Sequence, residues 1–221
     1  MKLSEFLTEL NNRIAAAKVS GFWTDAMKEQ WIYESVVRVC NFKKRWKFLE
    51  LAKSTTTKAN QEYYDEPGDF KTDSIYYMEV DGKEYIKKSW DRYQQYKEAG
   101  SSAKIFAIHN GFYFINPTPT KADLTIDIWG NKKPVSLAIW KAAADDSVLP
   151  SEFDEAVVKL ALATCLDKAR RKDEAIVERN EVELPASPGI PNSGGILAKL
   201  SEQEEGVVGY IGKARSSRFE M

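Results

Sequence analysis

Several chemistries are excluded by what this 221-residue chain has little of. It has one histidine, His109, and two cysteines, Cys40 and Cys165. With a single imidazole and two distant thiols, no nitrogen- and sulfur-rich zinc site can be assembled from spacing. Both cysteines lie in apolar helical patterns, which favours small buried hydrophobes in a reducing compartment over a disulfide. Charge of one sign is not in excess either: 32 Lys and Arg stand against 33 Asp and Glu. That balance marks neither a nucleic-acid binder nor an acidic tail. No apolar run approaches the length of a membrane span, and the opening "MKLSEFLTEL" breaks the apolar core a signal peptide needs, so a protein that is cytosolic when made is expected. No Gly-Lys-Ser/Thr occurs, and "GVVGYIG" lacks the strand and helix context of a phosphate loop, which removes nucleotide binding.

The periodicities that are present predict an α+β chain. Leu3, Phe6, Leu7, Leu10 and Ile14 recur at helical steps, predicting a helix over 3–18 with Ser4 as its cap. "VSGF" breaks it, and Thr24 caps a second helix over 24–41, so the two form a hairpin. A β-rich insertion is expected from about 46 to 130. "WKFLELAKSTTTKANQEYYDEP" reads as two strands around a polar loop, with helix as far as Ala52 as the rival reading. Ile75–Val80 and Lys83–Lys87 flank Asp81-Gly82, and Lys104–His109 and Phe112–Asn116 flank Asn110-Gly111; both pairs accept the positive φ angles of type I′ turns. A short helix over Ser89–Ala99 ends at Gly100. "LTIDIW" alternates Leu124, Ile126 and Ile128 against Thr125, Asp127 and Trp129. Together these strands suggest an antiparallel meander.

A long helix is expected over 151–180, with Ser151 and Asp154 at its start and two apolar stripes. Apolar over so much of its girth, it should pack on two sides, against its own domain and against a neighbouring subunit. The expected body is therefore 1–183, followed by a flexible C-terminal arm, 184–221, that begins with "LPASPGIPNSGG".

Candidate chemistry is thin. His109 precedes a two-residue turn, where a hydrogen-bonding strand end explains it better than a general base. Asp145 with Asp146, Glu152 with Asp154 and Glu155, and Asp123 with Asp127 are the paired carboxylates. Helix-dipole complementation and a wet strand face account for the last two groups without a hydrolase or an oxygen-ligand metal site. "FKKRWKF" interleaves Lys43, Lys44, Arg45 and Lys47 with Phe42, Trp46 and Phe48, the composition of a phosphate-contacting strip or of a solvated connection. Tyr76, Tyr77, Tyr85, Tyr93, Tyr96 and Tyr113 form either a ligand platform or cross-strand packing. No catalytic residue, cofactor or metal is assigned.

The order of five segments says more than any one of them. "WTDAMKEQWIYESVVRVC", "YYDEPGDF", "YYMEVDGKEY", "GFYFINPTPTKADLTIDIW" and "LPSEFDEAVVKLALATCL", spread from Phe22 to Glu178, together resemble the head-to-tail adaptor proteins of tailed bacteriophages. The resemblance implies a virion protein made in the host cytoplasm. It implies a ring of subunits, usually twelve, beneath the portal protein, with tail proteins attached below and DNA passing through without sequence recognition. It carries no active site. The tail after Glu183 exceeds a minimal family member, and Val207, Val208, Tyr210, Ile211 and Phe219, with Arg215 and Arg218, are candidate portal anchors within it. Two other readings remain open: a glycan-binding or cell-wall-acting protein using the tyrosines and exposed acids, and a nucleic-acid-binding accessory protein using Lys43–Lys47.

Overall fold

The structure is a computed structural model, and it describes residues 1–43, 45–143, 149–188 and 193–203. The chain divides into two units, one helical (1–48 and 134–221) and one β-rich (49–133).

In the helical unit, α1 (Leu3–Ala16) buries Leu3, Phe6 and Leu10 along one stripe. Its cap is Lys2, not Ser4: the Glu5 carboxylate accepts the Lys2 N–H at 2.7 Å, the acid half of a capping box. α2 (Asp25–Phe42) starts as expected, with Thr24 Oγ1 accepting the Met27 N–H at 3.3 Å. After α4 (Leu137–Ala143), a 3₁₀ turn at Ser151–Phe153 leads into α5 (Asp154–Lys168), and α6 (Lys172–Glu183) follows.

The single helix expected over 151–180 is thus two. The chain leaves α5 at Arg170, whose φ is 63°. There the Arg170 N–H donates to the Asp167 carbonyl and the Arg171 N–H to the Leu166 carbonyl, the paired closure of a Schellman motif. α1 ends identically at Lys18 (φ 50°), with Lys18 and Val19 donating to the Ala15 and Ile14 carbonyls. Lysine and arginine thus occupy a position usually marked by glycine. A left-handed L-residue costs about 1–2 kcal/mol, and a cation beside the last helical carbonyls offsets part of that.

α5 is apolar all round, with Ala156, Val157, Val158, Leu160, Ala161, Leu162, Ala163, Cys165 and Leu166 buried. α1 and α2 pack on it, and so does α6. The neighbour expected from another subunit is supplied by α6 of the same chain, because the break at Arg170 folds α6 back along α5. Ion pairs stitch the layers: Arg13 of α1 holds Glu155 with two bonds of 3.0 and 2.8 Å, and Lys159 of α5 reaches Glu178 and Glu181 of α6. Burial works against the Lys159 charge, yet those two acids raise its pKa. Residues 196–203 form a further helix in which Leu197 and Ala198 are buried. This stretch of the expected arm therefore packs within the helical unit, where its apolar side chains find cover; 204–221 lie outside the described residues.

The β unit is a curled seven-stranded sheet among the described residues, comprising β1 (Glu50–Thr56), β2 (Tyr63–Asp65), β3 (Tyr77–Val80), β4 (Lys83–Lys87), β5 (Ile105–His109), β6 (Phe112–Asn116) and β7 (Thr125–Asn131). Its order is β1-β7-β3-β4-β5-β6-β2. Both predicted hairpins form, turning at Asp81-Gly82 (φ 53° and 66°) and Asn110-Gly111 (φ 51° and 80°). The sequential meander does not form. α3 (Trp90–Glu98) carries the chain back across the sheet, so β5 lies parallel to β4. β1 and β2 do not pair with each other: one edges the sheet against β7, the other against β6. β7 alternates as its sequence predicts, with Ile126 and Ile128 inward. The curl brings Tyr64, Phe70, Met78, Tyr113, Ile126 and Ile128 into one core. Gly130 is required there, since a Cβ would sit 2.8 Å from the Phe70 ring.

Candidate interaction surfaces

Among the described residues, neither the histidine nor the carboxylates assemble a reactive constellation. His109, the last residue of β5, stacks on Trp90 with ring centroids 4.3 Å apart and planes 8° from parallel. Among the described residues, no group of three or more His, Cys, Asp or Glu side chains is placed to hold a metal ion. Asp127 accepts the Ser54 hydroxyl across the β1–β7 pair, Glu155 is held by Arg13, and Asp154 accepts the Met1 amino group at 3.3 Å. Asp123 occupies a left-handed turn position (φ 62°). Asp145 and Asp146 lie outside the described residues.

Lys44 lies outside the described residues, and the rest of the basic aromatic strip separates into core and surface. Trp46 is fully buried: its indole N–H donates to the Val39 carbonyl at 3.0 Å, and its ring packs on Phe48 and Phe153 at 5.5 and 5.2 Å. Its faces are therefore closed to a stacked base. Lys43 lies over the same ring at 5.4 Å and donates to the Ser201 carbonyl.

The tyrosines separate in the same way, with Tyr85, Tyr93 and Tyr113 buried. The Tyr93 hydroxyl is placed to donate to Glu62 at 2.9 Å and to the Ile115 carbonyl at 3.1 Å, and Tyr113 stacks on Tyr64 at 5.4 Å. Burial pushes the pKa of both phenols up, and Glu62 adds to the effect at Tyr93. These rings hold the sheet to itself and to α3.

What the helical unit does present is exposed apolar surface. Phe22, in the loop between α1 and α2, is fully exposed, and Met27 in the first turn of α2 is 43% exposed. On the outer side of α6, Ile176, Val177 and Leu184 are each half exposed. Beside them a groove of about 540 Å³ is lined by Val177, Asn180, Glu181, Leu184, Gly194, Ile196 and Lys199. In the β unit, a more polar cleft of about 390 Å³ lies between the free edges of β1 and β2. Phe22 carries a sequence signal that was available, an aromatic next to glycine in a helix-breaking loop. The α6 surface carries none while 151–180 is read as one helix, because the turn at Arg170 sets which side faces out. The candidate portal anchors Val207, Val208, Tyr210, Ile211, Arg215, Arg218 and Phe219 lie outside the described residues.

No helix among the described residues is long and apolar enough to cross a membrane. A family model described as SU10 adaptor protein matches residues 1–182, both units and nearly all of α6. No curated protein matches the chain.

Proposed function

The chain belongs to the SU10 adaptor protein family, and from that premise we propose that this phage head-to-tail adaptor works as a ring of subunits, usually twelve, seated under the portal protein. DNA passes through the ring during packaging and ejection, contacted without sequence recognition, and the opposite face receives the tail proteins. The role is structural, and no catalytic residue or cofactor is assigned to it. The observation that carries this reading is the family match over 1–182. Supporting it, the conspicuous exposed features of the helical unit are apolar and suited to protein partners rather than to a small substrate.

The segment 204–221 docks on the portal, with Val207, Val208, Tyr210, Ile211 and Phe219 as apolar anchors and Arg215 and Arg218 as ionic ones. Co-expression with the cognate portal, followed by electron microscopy, tests the whole reading. A second ring stacked on the portal is expected, and removal of 204–221 should abolish stacking while the remaining chain stays folded. A protein that stays monomeric beside its portal and instead binds sugar or turns over a glycan would overturn the assignment.

A further inference from the structure

The β unit curls until its two edge strands line one cleft of about 390 Å³, yet β1 and β2 do not pair. Residues 53–56 of β1 and Tyr64 and Asp65 of β2 form its walls, and it reaches Tyr113 and Ile128 of the core. The alternation of backbone bonds fixes what each wall offers. In the β1–β7 pair the Lys132 N–H donates to the Leu49 carbonyl at 2.7 Å and the Thr57 N–H to the Leu124 carbonyl at 2.8 Å, so the odd-numbered residues of β1 bond β7. The N–H and C=O groups of Ala52, Ser54 and Thr56 point the other way, and among the described residues no backbone group meets them. In the β2–β6 pair the Ile115 N–H donates to Glu62 and the Glu66 N–H to Gly111, each at 2.9 Å, which turns the backbone of Tyr63 and Asp65 outward. The Gln61 side-chain amide takes the Tyr63 carbonyl at 2.7 Å, and the Asp65 backbone stays open.

β1 is also bare on its inner side. Leu51 packs on the core, and Lys53 and Thr55, which share its face, are exposed because the sheet ends beside them. A regular edge strand of seven residues, without proline or bulge, is a template for pairing. The gap is built into the chain, because the loop over 57–62 that joins the two strands is fastened to the turn before β7. The Thr57 hydroxyl donates to the Lys121 carbonyl at 2.9 Å and accepts the Leu124 N–H at 3.0 Å, and the Asn60 N–H donates to the Pro119 carbonyl at 2.8 Å. At its far end the Tyr64 hydroxyl accepts the Lys58 N–H at 3.1 Å. A cleft held open in this way loses little freedom when it is filled.

We propose that this cleft takes an extended segment of a tail protein as an eighth strand, hydrogen-bonded to β1 on one side and to β2 on the other. This deepens the adaptor reading and rests on it. The chemistry of the walls selects the occupant: alternating backbone donors and acceptors fit an extended polypeptide, and a strand lying between two others needs both of its own edges free. Every described strand of this chain is already paired along at least one edge, so a second copy has none of them to give. The segment 204–221 has its own docking on the portal. β1 and β2 run in opposite directions, as the strand order with its parallel β4–β5 pair requires, so the guest lies antiparallel to one and parallel to the other. Antiparallel to β1 is favoured, since that edge is the longer and such pairing is stronger per residue. Alternate guest residues then lie over Tyr64, Tyr113 and Ile128 and should be apolar and β-branched.

The test follows amide hydrogen exchange, residue by residue over β1, in the full chain, in its rings on the cognate portal, and in those rings with the phage's tail proteins attached. The Ala52, Ser54 and Thr56 amides should exchange freely in the first two and slow by about 100-fold or more in the third, while Lys53 and Thr55, bonded to β7, are slow throughout. Ser54→Pro and Thr56→Pro each remove an outward N–H without touching the β7 ladder; each should keep the melting temperature and weaken tail attachment about 10-fold or more. Ser54→Ala keeps the N–H and loses only the hydroxyl bond to Asp127, so it should attach tails like the unaltered chain. Equal losses in Ser54→Ala and Ser54→Pro would overturn the proposal in favour of a side-chain contact. Slow exchange in the isolated chain that is lost on removing 204–221 would give the cleft to that segment, and slow exchange on the portal before tail proteins are added would give it to the portal or a neighbouring copy; either overturns the proposal. Tails that attach while these amides stay fast would refute this site and leave the adaptor reading standing. Failure of the unaltered chain to form rings on its portal would refute both.

Discussion

Trp46 separates a protein held together by its aromatics from one that offers them to nucleic acid. Its ring is fully buried between Phe48 and Phe153, and its indole N–H satisfies Val39, one of the last four carbonyls of α2, which have no partner within the helix. Trp46→Ala removes the ring and leaves a cavity, a change that costs about 3–5 kcal/mol in well-packed cores. Trp46→Phe keeps most of the volume but orphans the Val39 carbonyl, costing about 1–3 kcal/mol. For a chain of this size each kcal/mol shifts Tm by about 2–4 °C, so the alanine variant should melt about 6–20 °C lower. Circular dichroism gives Tm, and titration of labelled DNA at low and high salt gives binding. The expected result is a large loss of Tm with DNA binding unchanged between folded proteins. An unchanged Tm together with lost, salt-sensitive DNA binding would refute the burial argument and revive the stacking role of the strip.

Three further outcomes follow from the geometry. Burial holds the Glu66 carboxyl above its usual pKa, although the Asp73 N–H donates to it at 3.3 Å and works against the shift, and among the described residues Glu66 Oε1 is buried without a hydrogen bond. The folded state therefore binds this proton more tightly than the unfolded one, so the contribution to stability is present at low pH and lost as pH rises through the raised pKa. Glu66→Gln should raise stability at neutral pH in urea titrations; a loss would mean that the ionised form is needed. Burial pushes the Cys165 thiol up to about 12 from 9.0, so stability should fall between pH 9 and pH 12 as the unfolded thiol ionises first. Neither cysteine should react with a thiol reagent until the chain unfolds, and rapid labelling of the native protein would contradict their burial. Gly130→Ala should cost about 1–3 kcal/mol, because its Cβ would overlap the Phe70 ring in the β-unit core. Wild-type stability by urea titration would show that Phe70 can move aside.

Much of the architecture was legible where the signal is local. Asp81-Gly82 and Asn110-Gly111 turn where they should, Thr24 caps α2, Gly100 ends α3, and Ile126 and Ile128 face inward. Each depends on one or two residues and a backbone preference that nothing distant overrides. The α5–α6 break was not legible, because Arg170 adopts a glycine-like conformation that no propensity announces. The interaction surface was correspondingly half visible: Phe22 stood in a readable loop, while Ile176, Val177 and Leu184 became an outer face only after that turn.

By itself, then, the sequence determined the periodic segments, the tight turns and the ordered set of motifs that carries the family, since all of these are properties of short runs of chain. Tertiary structure decided the rest. Strand order depends on where α3 lands, which sets β5 parallel to β4 and sends β1 and β2 to opposite edges. Which aromatics are core and which are offered to a partner depends on what comes to cover them: Trp46 meets Phe153, more than a hundred residues away in sequence, and Phe22 is left uncovered by the described residues. Burial is a relation between distant segments, and only the folded chain states it.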